Sequence, residues 1–311
     1  MLDLAKINGS DMELGLIEEN LLAAPEMQVL PARTISGTSF RSLIRTALPT
    51  TGFRRPGEGV TVSKSTYDNK VHETFYFDGQ MQLDKSIVDG AEQGDGYMQT
   101  IEAAGVVRSA MLALGKQVWY GNTVGGIGDA KGFPGASQFV DAAHTIDATG
   151  SSANAATSVY FLVADPKFFN LIFGKNKVLT VGEWRKQTVF DANGKSSTGW
   201  VNSAEGWIGT EFVNIHSVVR IKNITAQAGK TLTDALLAQA EALFPVGVKA
   251  THIFMNRAAR AQLQASRTVS LFGQGSQRPS GGQGTVAPLP TSYNDIPIIA
   301  TDSIVSTEAI S

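Results

Sequence analysis

YMQTIEAAGVVRSAMLALGKQVWYGNTVGGIGDAKGFPG, residues 97–135, joins the longest helical pattern of the chain to a stretch rich in glycine. Apolar residues recur in its first part at steps of three and four, the stripe of an amphipathic helix; they are Ile101, Ala104, Val107, Met111, Leu114 and Val118. Asp95 is the predicted cap and Gly121-Asn122 the predicted end, so the helix measures roughly 36 Å. Gly105 inside it predicts close packing at that point.

The glycine-rich part, WYGNTVGGIGDAKGFPG at 119–135, has to be tested as a phosphate site. It follows the C-terminus of a helix, where the macrodipole is negative and disfavours phosphate. Lys131 occupies the third glycine position of the dinucleotide-binding pattern, and the Gly-Lys-Ser/Thr sequences at 194–196 and 229–231 lack the first P-loop glycine. We therefore predict that the stretch stops the helix and reverses the chain, and that no nucleotide binds.

Composition excludes several classes of site. The chain has 311 residues, a net charge of −2 and no cysteine, which removes disulfides, thiolate nucleophiles, zinc ribbons and iron–sulfur clusters and offers no basic field for nucleic acid. Its first twenty residues lack the pattern of a signal peptide, and no apolar run approaches the roughly twenty residues of a membrane span. We expect a protein made in a cytoplasm, with no membrane partner.

The N-terminal third predicts an arm followed by a hairpin. Residues 10–24 read as a short helix that ends at Pro25, and residues 27–50 are extended. Two β-type stretches follow, Val60–Tyr67 and Val71–Phe77, with a predicted turn at 68–70. Such a hairpin would project about 25 Å. It has too few apolar residues to pack both faces, so we expect it to lie on another subunit.

The rest of the chain predicts strands and helices in a mixed order. The predicted elements are a strand at 158–164, a hairpin at 188–201 turning at Asn193-Gly194, a strand region at 213–224, a helix capped by Thr231 and ending at Phe244-Pro245, a strand at 252–256, a helix at 257–267 capped by Asn256, a flexible loop at 274–284, and a turn and buried strand at 292–304.

No group of residues points to catalysis. The four histidines, His72, His144, His216 and His252, lie in different segments, whereas a metal site needs three or four converging ligands. No G-x-S-x-G elbow is present. We predict no catalytic, cofactor-binding or metal-binding residue, and a protein that is not an enzyme.

Exposed aromatic and arginine residues in the first 80 positions predict contacts with protein, because both residue types are enriched at interfaces and the net charge argues against nucleic acid. The candidate inter-subunit contacts are Phe40, Arg41, Arg45, Phe53, Arg54, Arg55, Lys64, Tyr67, Lys70, Phe75 and Tyr76.

The succession of an arm, a long charged hairpin, a helix ending in WYGN and a stretch containing GFPG resembles the major capsid proteins of tailed bacteriophages, which share the Hong Kong 97-type fold. SVYFLVADPKFFNLIFG, THIFMNRAARAQLQ and NDIPIIATDSI are similar to later parts of that fold. The resemblance implies an α+β capsid fold: an N-terminal arm at 1–50, an E-loop at 51–86, a P-domain with a spine helix and a β-sheet at 87–225, and an α/β A-domain at 226–311. The A-domain sequences follow the P-domain strands, which implies a permuted order.

The same resemblance implies a shell subunit. Pentamers and hexamers of the chain would form an icosahedral shell around double-stranded phage DNA in the virion, after procapsid assembly in the host cytoplasm. The implied partners are other copies, portal and scaffolding proteins, and a cement protein; no long charged helical prefix precedes the arm, so we expect a separate scaffolding protein or a processed chain. Some members crosslink an E-loop lysine, and Lys64 and Lys70 lie in that region, but solvated lysines are the favoured interpretation.

Two other functions stay open at this point. One is a soluble α/β enzyme or carbohydrate-binding protein whose site is not recognised. The other is a phage tail-tube or sheath subunit, against which the long helix and the large hairpin argue.

Overall fold

The computed structural model describes residues 22–90, 94–123, 126–190, 193–273 and 287–310. The helices in these ranges are α1 (Glu26–Val29), α2 (Lys85–Asp89), α3 (Asp95–Tyr120), α4 (Ala136–Phe139), α5 (Asp234–Ala242) and α6 (Arg257–Gly273). The strands are β1 (Ala32–Thr34), β2 (Ser39–Ala47), β3 (Thr66–Glu73), β4 (Phe75–Asp84), β5 (Thr145–Asp147), β6 (Thr157–Leu162), β7 (Phe169–Phe173), β8 (Thr180–Val181), β9 (Arg185–Phe190), β10 (Ser196–Phe212), β11 (Val218–Ile224), β12 (His252–Met255), β13 (Ser292–Tyr293) and β14 (Ile296–Ala300). The predicted loop at 274–284 and nearly all of the predicted helix at 10–24 lie outside the described residues.

The long helix is confirmed as α3, which is 26 residues long. Its N-cap is Gly94, and Asp95 lies in the first turn, where a carboxylate complements the helix dipole. Gly121 ends the helix at φ +68°, in the left-handed region that favours glycine. The packing prediction for Gly105 is wrong: a Cβ there would meet nothing within 4 Å, whereas one at Gly115 would collide with the side chains of Glu26 and Ser303.

The first sheet has the strand order β1-β7-β10-β4, and β8 and β9 also pair with β10. The long strand β10 holds this sheet together, because it pairs antiparallel with β4, β7, β8 and β9 along its length. The predicted turn at Asn193-Gly194 is confirmed by the β9–β10 register and by φ +76° at Gly194. Helix α3 packs on β4.

The second sheet has the order β13-β14-β12-β6-β11-β5. Strand β6 pairs with both β11 and β12, so the boundary expected at residue 225 runs through one continuous sheet. Helix α6 is capped by Asn256 as expected, with a 2.7 Å hydrogen bond from the amide of Ala259. Helix α5 is capped by Thr233, whose side chain accepts from the amide of Leu236; Thr231 was the wrong prediction, two residues early.

The two sheets meet at the end of α3. Trp119, fully buried, stacks on Tyr160 of β6 at 5.0 Å between ring centroids and tilts against Phe254 of β12 at 4.9 Å. Buried apolar side chains of α3, β7 and β10 continue the same core, and a second core lies between the second sheet and helices α5 and α6. The end of α3 therefore packs against both sheets, through aromatic rings on the second sheet and apolar side chains on the first.

The glycine-rich stretch after α3 folds back on the helix that precedes it. The side chain of Gln117 accepts a 2.7 Å hydrogen bond from the amide of Asp129 and donates to the carbonyls of Asp129 (3.1 Å) and Phe133 (2.7 Å). The backbones of Gly121 and Gly135 pass so closely that a Cβ on either would collide with the other. The stretch is therefore a tight joint, as predicted, and glycine is required at its crossing point.

The N-terminal hairpin differs from the sequence prediction. The predicted turn at 68–70 lies inside β3, which pairs antiparallel with β2, from Ser39 opposite Glu73 to Ala47 opposite Thr66. Residues 48–65 form the connecting loop, and Phe75 begins β4 of the first sheet. The prediction was wrong because β3 pairs with β2 in the preceding arm, and not with the segment that follows it in the chain.

Candidate assembly surface

Strands β2 and β3 form a two-stranded sheet of their own. Side chains alternate between its faces, and burial follows this alternation. One face is turned toward the first sheet and carries Phe40, Ile44, Lys70 and His72. The other face is exposed. Two strands alone are marginally stable in water, so the contacts of the inner face decide where the hairpin lies on its own subunit.

The inner face is held by aromatic and polar contacts. Phe40 stacks on His72 at 5.0 Å, and the guanidinium of Arg33 lies 4.4 Å from the centre of the Phe40 ring. Ser42 Oγ lies 2.8 Å from His72 Nε2. Burial, followed by the charges of Lys70 and Arg33, lowers the pKa of His72 to about 4. His72 is therefore neutral near pH 7 and packs as an apolar ring with one hydrogen bond.

Lys70 anchors the inner face to β10. Its ammonium group donates a 2.7 Å hydrogen bond to the carbonyl of Phe212 and lies 3.9 Å from the centre of the Phe139 ring. Burial lowers the pKa of Lys70 to about 8. The expectation of a solvated side chain at Lys70 is therefore wrong, because the hairpin folds back and covers it; Lys64, in the loop, is exposed.

The outer face is formed by Arg41, Leu43, Arg45, Tyr67 and Val71, all exposed. Leu43 is 68% exposed, Tyr67 51% and Val71 49%. Arg45 donates a 3.1 Å hydrogen bond to the hydroxyl of Tyr67, opposite it in the register. The face combines apolar area with two arginines, the composition of a protein-binding surface rather than of an ordinary solvated one.

The loop at 48–65 extends this surface. Its neck is closed by Ser63 Oγ, which accepts from the amide of Thr50 at 2.6 Å and donates to the carbonyl of Thr50 at 3.1 Å. Phe53 is fully exposed (111%) and Val62 nearly so (95%). Loops longer than about 12–15 residues in compact domains are usually either functional or linker segments, and the exposed apolar side chains of this loop favour a binding segment.

The candidate contacts fall into two groups. The exposed ones are Arg41, Arg45, Phe53, Arg54, Arg55, Lys64, Tyr67 and Tyr76. Phe40 and Lys70 make contacts within the subunit, and Phe75 packs against the first core. Tyr76, on β4, donates a 2.6 Å hydrogen bond to Glu205. The sequence analysis missed Leu43, Leu48 and Val62. They could have been recognised as apolar residues within a segment that is otherwise polar and extended.

The histidines are less isolated than the sequence predicted. His144 Nε2 lies 2.8 Å from His216 Nδ1, and His144 Nδ1 lies 2.6 Å from Asp141 Oδ1. The three groups form a chain rather than converging on one point, and among the described residues no cluster of three acidic or histidine side chains could hold a metal ion.

No helix in the described ranges is both long and apolar enough to cross a membrane.

A family model described as "Major capsid protein GP7" matches residues 26–310 of the chain. No curated protein sequence matches it. A structure of bacteriophage Epsilon15 is similar with a TM-score of 0.69 at 17% identity, covering 99% of this chain and 96% of that chain.

Two structures from bacteriophage JBD30 are similar as well. Its capsid decorated with minor capsid protein trimers has a TM-score of 0.53 at 13% identity, covering 93% and 94% of the two chains. The JBD30 capsid itself has a TM-score of 0.51 at 12% identity, covering 92% and 93%. At these identities the likeness concerns the fold, and it confirms the α+β capsid fold expected from the sequence.

Proposed function

Because the chain belongs to the major capsid protein GP7 family, we propose that it builds its shell by placing the outer face of the β2–β3 hairpin and the loop at 48–65 on a neighbouring copy. As a member of this family it is a major capsid protein, a structural, shell-forming subunit of the virion. The observation that carries the proposal is the exposed apolar and arginine-rich surface of the hairpin, which packs on nothing within the described subunit.

The physical reason is the mismatch between the two faces of the hairpin. The inner face is used within the subunit by Phe40, Lys70 and His72. The outer face leaves Leu43 and Val71 in water, together with Phe53 and Val62 of the loop. Burying this apolar area contributes about 25 cal/mol per Å², and repetition around a closed symmetric ring multiplies it.

In this proposal the E-loop is the hairpin at 39–73, and not residues 51–86 as the resemblance implied, because β2 and β3 pair with each other. Residues before 39 act as the arm, and the first sheet with α3 forms the peripheral part. The second sheet with α5 and α6 forms the axial part. The rings are pentamers and hexamers, and together they form the shell that encloses double-stranded DNA after assembly in the host cytoplasm. Portal, scaffolding and cement proteins complete the particle, and we assign the chain no enzymatic activity.

The test is assembly of the purified chain, with and without its hairpin surface. Wild-type protein should sediment as rings or shells and show closed particles in electron micrographs. A variant with Phe53→Ser and Leu43→Ser should remain a folded subunit with an unchanged circular dichroism spectrum and fail to form them. Particles that form normally in the double variant would refute the hairpin proposal, and a wild-type chain that stays monomeric over a range of salt and protein concentrations would refute assembly of the chain without a scaffolding protein.

A further inference from the structure

The segment before β1 is fastened to two distant parts of the chain. The amide of Ala23 donates a 2.9 Å hydrogen bond to Asp302 Oδ2, and the amide of Asp302 donates back to the carbonyl of Ala23 at 3.1 Å. Helix α1 then packs against α3, and Leu30 enters the first core. Residues 22–31 are therefore a strap that crosses the spine helix and the C-terminal segment.

A carboxyl group lies in the middle of this strap contact. Glu26 is fully buried, and among the described residues neither of its oxygens has a hydrogen-bond partner. The indole nitrogen of Trp119 and the hydroxyl of Ser303 are also buried without a partner. Gly115 leaves the space that Glu26 and Ser303 occupy, because a Cβ at that position would collide with both side chains.

An ionised carboxylate at this place is strongly disfavoured. A buried charge needs a counter-ion or several hydrogen bonds, and no charged group stabilises the Glu26 anion. Burial raises the pKa of Glu26, and weaker polar interactions with Ser303, Thr301 and Trp119 oppose this only in part.

The charged groups on the surrounding elements do not compensate for the burial. They are Arg108 and Lys116 on α3, and Asp302 and Glu308 in the C-terminal segment. Asp302 pairs with Arg257 at 3.4 Å, and Glu308 with Arg220 at 3.1 Å. None of these charges shifts the pKa of Glu26.

We propose that Glu26 is a proton-controlled lock: as a neutral acid it holds residues 22–31 against the spine helix, and as an anion it releases them. The neutral acid retains one O–H donor for the nearby hydroxyl groups and one carbonyl for the indole N–H, so small rearrangements or a buried water satisfy all three groups. The anion has no cationic partner in the described structure and moves toward water, which lifts α1 off α3. The lock belongs to the subunit itself and does not depend on the assembly proposal.

The sign of the pH dependence follows from linkage. The pKa of Glu26 is about 4.5 when the strap is released and higher when it is held. As pH rises between these two values, the released form loses its proton while the held form keeps it, so the opening equilibrium rises about tenfold per pH unit. At pH values above the pKa of the held form, the opening equilibrium becomes constant.

Hydrogen exchange of the full chain, read by mass spectrometry on peptides covering 22–31, tests the lock. After correction for the chemical exchange rate, wild-type protein should show opening that rises about tenfold per pH unit in this window. Glu26→Gln, which cannot ionise, should show low opening at all pH values, and Glu26→Met provides a second uncharged variant should the first fold poorly. The control is Glu102→Gln, a half-buried glutamate of α3 outside the strap contact; it should keep both the level and the slope of exchange.

Two results would overturn the proposal. One is a wild-type chain whose corrected exchange at 22–31 does not change with pH. The other is a slope that persists in both uncharged variants, since the titrating group would then be a different one.

Discussion

The hydroxyl of Tyr120 donates a 2.6 Å hydrogen bond to Glu308 Oε1, joining the last residue of the spine helix to a segment 188 positions away. The same carboxylate accepts from Ser158 Oγ at 2.6 Å and from Arg220 at 3.1 Å. Burial raises the pKa of Tyr120, so the phenol stays protonated and keeps donating. One buried carboxylate therefore connects α3, β6 and β11.

Removing this carboxylate should be among the most damaging single changes. Glu308→Gln leaves Arg220, whose side chain is only 15% exposed, without a counter-ion, and breaking a buried pair from one side costs about 3–5 kcal/mol. The free energy of unfolding, measured in urea, should fall by that order. The double variant Arg220→Met with Glu308→Leu should recover part of the loss; a double variant worse than the sum of the single ones would contradict the pairing.

Two of the glycines inside α3, Gly105 and Gly115, should respond in opposite directions to the same substitution. Gly105→Ala meets open space and should raise the free energy of unfolding by about 0.5–1 kcal/mol through helix propensity. Gly115→Ala forces apart Glu26 and Ser303 and should lower it by about 1–3 kcal/mol. Thermal unfolding of both variants checks this, and equal effects at the two positions would show that α3 does not pack as described.

His72 should make the subunit sensitive to acid. Its pKa is lowered from 6.5 to about 4 in the folded chain, so between these pH values the unfolded chain takes up a proton that the folded chain does not. Stability should therefore fall as pH decreases through this window. His72→Gln should lose less stability between pH 6.5 and 4 than wild type.

Proton NMR of the imidazole provides the direct measurement. The His72 resonance should move only near pH 4, while a midpoint close to 6.5 would contradict the burial described for the inner face.

Neighbouring residues on opposite faces of β2 should separate assembly from folding. Leu43→Asp lies on the outer face and should prevent particle formation while changing the free energy of unfolding by less than about 0.5 kcal/mol. Ile44→Asp places a charge on the inner face, which lines the groove against Phe139, and should destabilise the subunit itself. Sedimentation and urea unfolding of each variant provide the two readouts. The assignment of the faces would be reversed if Ile44→Asp prevented assembly without lowering the free energy of unfolding, while Leu43→Asp left assembly unchanged.

Elements with local causes could be predicted from the sequence. Helix α3, the glycine that ends it, the Asn193-Gly194 turn and the Asn256 cap each depend on residues within a few positions of one another. The predicted apolar stripe of α3 is buried only in part, because Ala104 and Met111 are exposed. The cap of α5 was misplaced by two positions because Thr231 and Thr233 both offer a hydroxyl before the helix, and only Thr233 reaches the amide of Leu236.

The sequence predicted where in the chain the candidate assembly surface lies, but not which of its side chains face outward. Arginines and aromatics in an extended segment predicted protein contacts; Arg41, Arg45 and Phe53 are exposed, and their contacts with another subunit stay a prediction. Whether a side chain such as Lys70 faces inward depends on which strand β3 pairs with, and pairing partners distant in sequence leave no local pattern.

The sequence by itself determined the order of the larger parts, an extended arm, a hairpin, a long helix and a mixed region of strands and helices, because periodicity, caps and turns are decided by neighbours along the chain. Its resemblance to capsid proteins rested on that order. Only the tertiary structure decided that β6 joins β12 in one sheet, that His144 meets His216, and that the glycine needed for close packing in α3 is Gly115 rather than Gly105. These features arise from contacts between segments far apart in the chain, where burial and hydrogen bonding, rather than local propensity, select the arrangement.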